Sequence, residues 1–405
     1  MNKVIQGNVT SPQGFTASGA TCGIKKSGKK DIALIYSEVP CVAAGVFTSN
    51  QVKASCVVIN AERIGSGSGQ AVIVNSGNAN CMTGAQGHKD SLAMTQETAK
   101  ALGISEESVY VASTGVIGKA LPMEKILPAI ADLAKNLGKE GGADAAKGIL
   151  TTDTVAKEAA VECVIDGKKI TIGAIAKGGG MIHPAMALPH ATMLCFASTD
   201  ADIAPDALRA ALNRATQQTF NMITVDGDMS TNDMALVFAN GLAKNATIEN
   251  NSKEFEVFAV ALEALFLELA KMMIRDAEGA TKFVEITVQN AKSVEDARKA
   301  AKSVASSNLV KCAMFGSDPN WGRIAAAAGY SGAAVDPEKL CISMQGELIV
   351  KNGGPVEIDQ KKLDDLFAQK DIVVTVDLGM GKESATAYTC DLSTEYVVFN
   401  SAYHT

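Results

Sequence analysis

The sequence predicts an α+β fold built from stacked layers of helices and sheets. Short runs rich in β-branched and aromatic residues recur along the 405-residue chain, and amphipathic helical segments separate many of them. Tight turns join several of these runs, which indicates antiparallel hairpins, and no regular series of strand, helix and parallel strand emerges. Hairpins mixed with helices favour layered α+β packing over a doubly wound parallel sheet.

Strands are predicted where alternating or continuous apolar runs lie between turn residues. The clearest is a hairpin over residues 161–176, in which an Asp-Gly turn separates two alternating runs. The run ATMLCFAST that follows is expected to pair in the same region. The other predicted strands are DIALIYSE, QAVIVN, SVYVAS, KFVEITVQ, NLVKCAMF, ISMQGELIV and DIVVTVDL.

Helices are predicted from apolar residues that recur at helical spacing. The segments are residues 122–138, DALRAALNRATQQTF, residues 255–274 and VEDARKAAKSVASS. The most apolar of them, 255–274, contains Glu256, Glu263, Glu268 and Lys271. A membrane span needs about 18 or more consecutive apolar residues, so this segment is predicted to be a core-facing helix and no membrane association is expected.

Composition and charge argue against several classes of partner. The net charge of −7 argues against nucleic acid, whose recognition needs clustered Lys and Arg. We interpret the basic run KKSGKK at residues 25–30 as a solvated loop. The N-terminus has no apolar segment typical of a secretory signal, which predicts a cytoplasmic protein. Nine scattered cysteines without a CxxC pair indicate reduced thiols, and four histidines without zinc-like spacing predict no metal site.

Five glycine-rich polar segments are candidates for ligand-binding loops, because such loops bring backbone N–H groups close to a ligand. None has the spacing of a phosphate-binding motif, so a nucleotide-binding enzyme or a non-catalytic binding protein is the less favoured alternative. The segments are NSGNAN (75–80), STGVIG (113–118), KGGG (177–180), VDGDMSTND (225–233) and GSDPNWGR (316–323).

Thr192 is the hydroxyl residue at the start of an apolar run in MIHPAMALPHATMLCF, residues 181–196. A threonine hydroxyl becomes a useful nucleophile when it is the first residue of a chain, since its own α-amine can then act as the base. That role requires cleavage of the chain after Ala191. The alternative is that Thr192 simply opens a strand, for which threonine has a high propensity, and the spacing alone favours this alternative.

Ten motifs in order resemble the ornithine acetyltransferases of arginine biosynthesis, which are self-cleaving enzymes with an N-terminal threonine nucleophile. The resemblance covers nearly the whole chain. The motifs are NSGNAN, STGVIG, LTTDT, KGGGMIHP, ATML, FNMITVDGD, STNDM, DAEGATK, GSDPNWGRI and YVVFNSAYHT.

The resemblance implies a layered αββα sandwich of the N-terminal-nucleophile kind. It implies cleavage between Ala191 and Thr192, which gives an α chain of residues 1–191 and a β chain of residues 192–405, and a heterotetramer of two α and two β chains. The implied reaction transfers acetyl from N2-acetylornithine to glutamate through an acetyl ester on Thr192. No cofactor is implied; some family members also accept acetyl-CoA as donor, and the residues do not distinguish the two kinds.

The resemblance also implies the roles of individual residues. Thr114 and Gly115 correspond to the oxyanion hole that stabilises the tetrahedral intermediates. Lysine, glutamate and amide side chains in the implied pocket suit the carboxylate and ammonium groups of an amino acid. The implied substrate-binding residues are Thr154, Lys177, Thr192, Glu278, Asn400 and Thr405.

Two departures from the family pattern lie close to the implied cleavage site. Residues 187–190, ALPH, are inserted directly before ATML, and KGGG stands where the family has KGSG. The insertion is expected either to loop out or to slow self-cleavage. A hydrolase or aminopeptidase of the same fold, in which water replaces glutamate as acceptor, is the alternative within this class.

Overall fold

The computed structural model describes residues 3–184 and 193–402, and the strands in these ranges form two mixed sheets. The strands are β1 (Lys3–Ile5), β2 (Phe15–Ala20), β3 (Ile32–Phe47), β4 (Ser68–Asn78), β5 (Val109–Val116), β6 (Lys157–Ile165), β7 (Lys168–Lys177), β8 (Leu194–Thr199), β9 (Ile223–Thr224), β10 (Met234–Ala239), β11 (Phe283–Ala291), β12 (Cys341–Met344), β13 (Glu347–Lys351), β14 (Gly354–Pro355), β15 (Asp371–Asp377) and β16 (Glu383–Cys390).

Helices cover both sheets. They are α1 (Ser55–Arg63), α2 (Gly84–Leu102), α3 (Met123–Lys135), α4 (Gly142–Gly148), α5 (Pro205–Gln218), α6 (Lys253–Arg275), α7 (Val294–Ser306), α8 (Asn308–Phe315), α9 (Trp321–Gly329), α10 (Gln360–Phe367) and α11 (Thr394–Ala402). None of these helices combines the length and the apolar character that crossing a bilayer requires.

The first sheet has the strand order β1-β6-β7-β8-β10-β3-β4-β5, and β2 pairs with β3. The predicted hairpin is β6 and β7; its Asp166-Gly167 turn has positive φ at both residues, 49° and 70°, as a two-residue hairpin turn requires. Strand β8, which starts two residues after Thr192, pairs antiparallel with β7 and parallel with β10. The chain that follows Thr192 therefore lies in the interior of the sheet.

The second sheet has the order β14-β13-β12-β15-β11-β16-β9. The apolar residues of α1 to α4 pack on one face of the first sheet, and those of α5 and α6 pack on the other. Helices α7 to α10 cover the second sheet. Helix α6 also contacts the second sheet, since Arg275 lies 4.2 Å from the ring centre of Phe283. This arrangement confirms the predicted layered α+β fold.

The four predicted helices are all present, and side-chain caps fix the start of two of them. Ser252 accepts a hydrogen bond from the backbone N–H of Phe255 at 3.0 Å at the start of α6. Ser293 accepts from the backbone N–H of Asp296 at 3.1 Å at the start of α7. Each cap satisfies a backbone donor that has no partner within its helix.

The predicted strand NLVKCAMF is wrong, because these residues form α8. A short apolar run fits a buried strand and a buried helix equally well by periodicity alone. The hydroxyl of Ser307 accepts from the backbone N–H of Val310 at 3.4 Å and caps the helix.

The segment ISMQGELIV, predicted as one strand, forms two. These strands, β12 and β13, make a hairpin whose turn residues Gln345 and Gly346 have positive φ. All nine cysteines are free, and six of them are buried.

Candidate active site

A cavity of about 260 Å³ lies where loops from both sequence halves meet beside the start of β8. Four of the five glycine-rich segments contribute residues to it, as do the chain near Glu278 and α11. The lining residues are Ala79, Thr114, Gly115, Ile117, Thr151, Thr152, Lys177, Gly180, Met181, Ile182, Met193, Leu194, Ser230, Thr231, Asn232, Asp233, Glu278 and Asn400.

Lys177, the last residue of β7, supplies the positive charge of the cavity. It is 8% exposed, and its Nζ donates to the hydroxyl of Thr151 at 2.8 Å and to that of Thr114 at 3.4 Å. The carboxylate of Asp153 lies 3.9 Å away. An ammonium held by neutral hydroxyls at a cavity wall can pair with the carboxylate of a bound amino acid.

A buried network of ion pairs lies next to Lys177. Lys157 is fully buried, and its Nζ contacts Asp153 at 2.7 Å and Asp276 at 2.5 Å. Asp153 also accepts from the backbone N–H of Gly178 at 2.7 Å. Burial disfavours the ionised form of Asp153, but Lys177 and Lys157 outweigh it and hold the pKa of this carboxyl below its ordinary value. The network joins the segment around Lys177 to the segment before Glu278.

Thr114 and Gly115, the predicted oxyanion hole, lie together on the cavity wall at the end of β5. Thr114 is 8% exposed. Gly115 has φ of +133°, and a side chain there would overlap the backbone of Gly77 and Asn78 on the neighbouring strand β4. Only glycine fits both this backbone conformation and this close approach.

Glu278 supplies a negative charge to the same cavity. Its backbone N–H donates to the carbonyl of Gly179 at 2.9 Å, and Asn400 Nδ2 donates to its Oε2 at 3.0 Å. Asn400 belongs to α11, so this hydrogen bond fastens the C-terminal helix to the cavity. Five of the residues predicted from the sequence therefore line one cavity, and their roles stay predictions: Thr114, Gly115, Lys177, Glu278 and Asn400.

The structure adds residues that sequence reasoning missed. Asn232 Nδ2 donates to the carbonyls of Ala79 at 2.5 Å and Ser113 at 2.8 Å, and so joins three of the glycine-rich loops. Asp233 is 4% exposed and also lines the cavity. Both residues lie in VDGDMSTND, which the sequence indicated only as a loop near the site. A polar pair directly before a buried strand was the signal that could have identified them.

Other predicted residues lie away from the cavity or outside the described ranges. Thr154 is exposed and donates to the carboxylate of Asp276 through its N–H and its hydroxyl; it does not line the cavity. GSDPNWGR also contributes no lining residue, and Trp321 packs against the core of the second sheet. The remaining predictions, Ala191, Thr192, Thr405 and the insertion 187–190, concern residues that the structure does not describe.

Within residues 3–184 and 193–402, no group of three or more His, Cys, Asp and Glu side chains is arranged to hold a metal ion. The three carboxylates of VDGDMSTND do not converge on one point. Asp226 accepts from the backbone of Met181 and Ile182, Asp228 is exposed, and Asp233 is buried.

Gly180→Ala is expected to weaken substrate binding, because the new methyl group would overlap the carboxylate of Glu278. A charge-assisted contact contributes roughly 1.5–3 kcal/mol, so displacement of Glu278 should raise KM for a cationic substrate about tenfold or more. Steady-state kinetics will measure this. Gly179→Ala is the matched control, since its nearest neighbour, Thr152 Oγ1, would lie at an ordinary 3.4 Å. Equal KM values for the two variants would contradict the prediction.

A partly enclosed cavity with a lysine on one wall and a glutamate on another suits a small molecule that carries both a carboxylate and an ammonium group. The chain belongs to the ArgJ family, whose model matches residues 16–405. A protein of Symbiobacterium thermophilum named arginine biosynthesis bifunctional protein ArgJ is 51% identical over 99% of both chains. A protein of the same name from Caldanaerobacter subterraneus is 48% identical over the full length of both.

Solved structures include an arginine biosynthesis bifunctional protein from Bacillus halodurans. It is 42% identical, covers 46% of this chain and 100% of its own, and has a TM-score of 0.44. An ornithine acetyltransferase from Mycobacterium tuberculosis, in complex with ornithine, is 40% identical with the same coverage and the same TM-score. The family predicted from the motifs, and the acyltransferase class that accompanies it, are confirmed.

Proposed function

We propose that this enzyme transfers the acetyl group of N2-acetylornithine to glutamate, in arginine biosynthesis, through an acetyl ester on Thr192. The observation that carries the proposal is the placement of Lys177 and Glu278 on one cavity that also includes Met193, the residue after Thr192. The names of the relatives, which are at 48% and 51% identity over nearly the whole chain, support the same pathway.

The proposed reaction has two halves. The Thr192 hydroxyl attacks the acetyl carbonyl, and its proton passes to the α-amine of the same residue. The C–N bond of the tetrahedral intermediate then breaks, the proton moves to the departing nitrogen, and ornithine leaves. The amine of glutamate attacks the resulting ester, N-acetylglutamate forms, and the proton returns to the threonine oxygen. Because the first product leaves before the second substrate binds, the kinetics should be ping-pong.

Each residue near the cavity has a chemical role in this proposal. Hydrogen-bond donors at Thr114 and Gly115 would stabilise the negative charge on the carbonyl oxygen, a contribution worth roughly 10²–10³ in rate per donor. Lys177 would pair with the α-carboxylate of the substrate. Glu278, held by Asn400, would pair with the side-chain ammonium of ornithine. Roles for Thr154 and Thr405 in substrate binding stay predictions.

Maturation and assembly are part of the same proposal. We expect self-cleavage between Ala191 and Thr192, a β chain of residues 192–405, and a heterotetramer of two α and two β chains in the cytoplasm. We expect no cofactor. Use of acetyl-CoA as a second donor also stays a prediction, and assaying glutamate acetylation from acetyl-CoA without acetylornithine tests it.

Two measurements on the wild-type enzyme test the proposed function. Denaturing electrophoresis should give two chains, which end and begin at Ala191 and Thr192. Product analysis should give N-acetylglutamate when acetylornithine and glutamate are both supplied, and little acetate when glutamate is omitted. Rapid acetate release without glutamate would instead identify the alternative hydrolase. A single intact chain with full transfer activity would rule out the mechanism.

A further inference from the structure

The carboxylate of Asp226 joins separate parts of the chain that border the cavity. Its Oδ2 accepts from the backbone N–H of Met181 at 2.6 Å and from the hydroxyl of Tyr396 at 3.1 Å. Its Oδ1 accepts from the backbone N–H groups of Ile182 at 2.9 Å and Asp228 at 3.2 Å. Asp226 itself does not line the cavity, and the proposed reaction gives it no role. One carboxylate therefore fastens a lining segment of the cavity to the C-terminal helix α11.

The first of these links fixes the backbone that lies against Glu278. Met181 has φ of +53°, a left-handed conformation that residues other than glycine seldom adopt. The hydrogen bond from its N–H to Asp226 stabilises this conformation. The preceding residue, Gly180, lies so close to Glu278 that a side chain there would overlap the carboxylate. Asp226 therefore helps to set the position of the backbone that borders the Glu278 carboxylate.

The second link fixes the helix that supplies the hydrogen-bond partner of Glu278. Asn400 donates to Glu278 Oε2 at 3.0 Å, and it lies one helical turn after Tyr396. Its Nδ2 also donates to the carbonyl of Tyr396 at 3.1 Å. None of residues 394–402, the whole of α11, is buried. Because helices in proteins owe most of their stability to packing, this helix depends on its few contacts with the rest of the chain, and the hydroxyl of Tyr396 makes one of them.

The charges at this end of the cavity favour a cation. Burial has the largest effect on Tyr396, and the charges of Asp226, Glu278 and Asp228 add to it, so that its pKa lies well above the ordinary value. The hydroxyl therefore stays protonated and donates to Asp226. Three carboxylates that act on one side chain at this end of the cavity attract an ammonium group and repel a carboxylate.

We propose that Asp226 and Tyr396 are positioning residues that hold Glu278 and Asn400 for the ammonium end of the donor substrate. This inference rests on the proposed function, in which Glu278 pairs with the side-chain ammonium of ornithine. Neither Asp226 nor Tyr396 lines the cavity, and no covalent bond to either forms or breaks. Glutamate, the acceptor, has no side-chain ammonium. The two half-reactions should therefore depend on this pair of residues to different degrees.

Tyr396→Phe tests the inference, because it removes the hydroxyl and keeps the ring. We expect kcat/KM for acetylornithine to fall about fivefold, within the range that loss of one hydrogen bond gives. We expect kcat/KM for glutamate to change by less than about twofold, since each constant of a ping-pong reaction reports one half-reaction. Asp226→Asn replaces an acceptor oxygen with a donor group, and it should lower kcat/KM for acetylornithine about tenfold or more.

Combination with Asn400→Ala tests the route of the effect. If Tyr396 acts by holding α11 in place, Tyr396→Phe should cost less than about twofold once Asn400 is alanine, because the contact that it positions is already gone. Independent, multiplicative losses from the two changes would overturn the inference. Tyr330→Phe is the matched control, since Tyr330 is 66% exposed and does not line the cavity, and it should change neither constant.

Ornithine binding gives a measurement that needs no turnover. Calorimetric titration with ornithine should show a Kd about five times higher for Tyr396→Phe than for the wild-type enzyme. An unchanged Kd would overturn the inference, as would equal losses of kcat/KM for acetylornithine and glutamate, which indicate general damage to the structure. A wild-type enzyme that binds ornithine more tightly than Tyr396→Phe but transfers no acetyl group would support the inference and contradict the proposed function.

Discussion

Thr192→Ala is expected to stay a single chain of 405 residues and to transfer no acetyl group. Without the hydroxyl there is no nucleophile to attack the preceding peptide bond or the acetyl carbonyl. Removing the nucleophile of an acyl-transfer enzyme costs roughly 10⁴-fold or more in kcat. Denaturing electrophoresis and a transfer assay with acetylornithine and glutamate measure the two effects on one preparation.

Thr192→Ser is the matched control for this experiment. It keeps the hydroxyl and loses one methyl group, so we expect self-cleavage and measurable transfer to persist. Mass spectrometry of the β chain, taken with acetylornithine but without glutamate, should show an acetyl adduct in the threonine and serine enzymes. An intact, fully active Thr192→Ala enzyme would show that another residue is the nucleophile.

Lys157→Met is expected to destabilise the protein by about 3–5 kcal/mol, the cost of breaking a buried ion pair by removing one partner. Lys157 has no exposed surface and holds the carboxylates of Asp153 and Asp276. Methionine keeps much of the apolar stem and removes the charge. Denaturant unfolding of the purified protein measures the difference. Lys168→Met, an exposed lysine at the start of β7, should change the free energy of unfolding by no more than about 0.5 kcal/mol.

The effect of Lys157→Met should depend on pH. The pKa of Asp153 is lower in the folded protein than its ordinary value, since Lys177 and Lys157 outweigh the effect of burial. A carboxyl with a lowered folded-state pKa stabilises the fold above the unfolded-state pKa of about 4, and this stabilisation is lost as the pH falls below it. The difference between wild type and Lys157→Met should therefore narrow in acid. A difference that is constant from neutral pH down to pH 3 would contradict this explanation.

Much of the candidate site could be predicted from the sequence because its parts are short motifs. Gly115, Lys177 and Glu278 were predicted from the resemblance of their segments to motifs of a known family, and all three line the cavity. Thr154 was predicted from the same resemblance; its hydroxyl contacts Asp276, and it does not line the cavity. The backbone conformation decides in which direction each side chain of LTTDT points, and a sequence motif does not specify that conformation.

The sequence alone determined the family, the acyltransferase class, the layered α+β fold and most strands and helices, because these follow from local periodicity and from motifs in a given order. The tertiary structure alone decided that NLVKCAMF is a helix and that Lys157 joins Asp153 to Asp276. It also decided that Oδ2 of Asp233 is buried without a hydrogen-bond partner among the described residues. Asp153 and Asp276 are far apart in the chain. Whether a charged group is desolvated depends on which distant segments pack over it. Desolvation and long-range pairing are properties of the packed molecule, and no local pattern of residues encodes them.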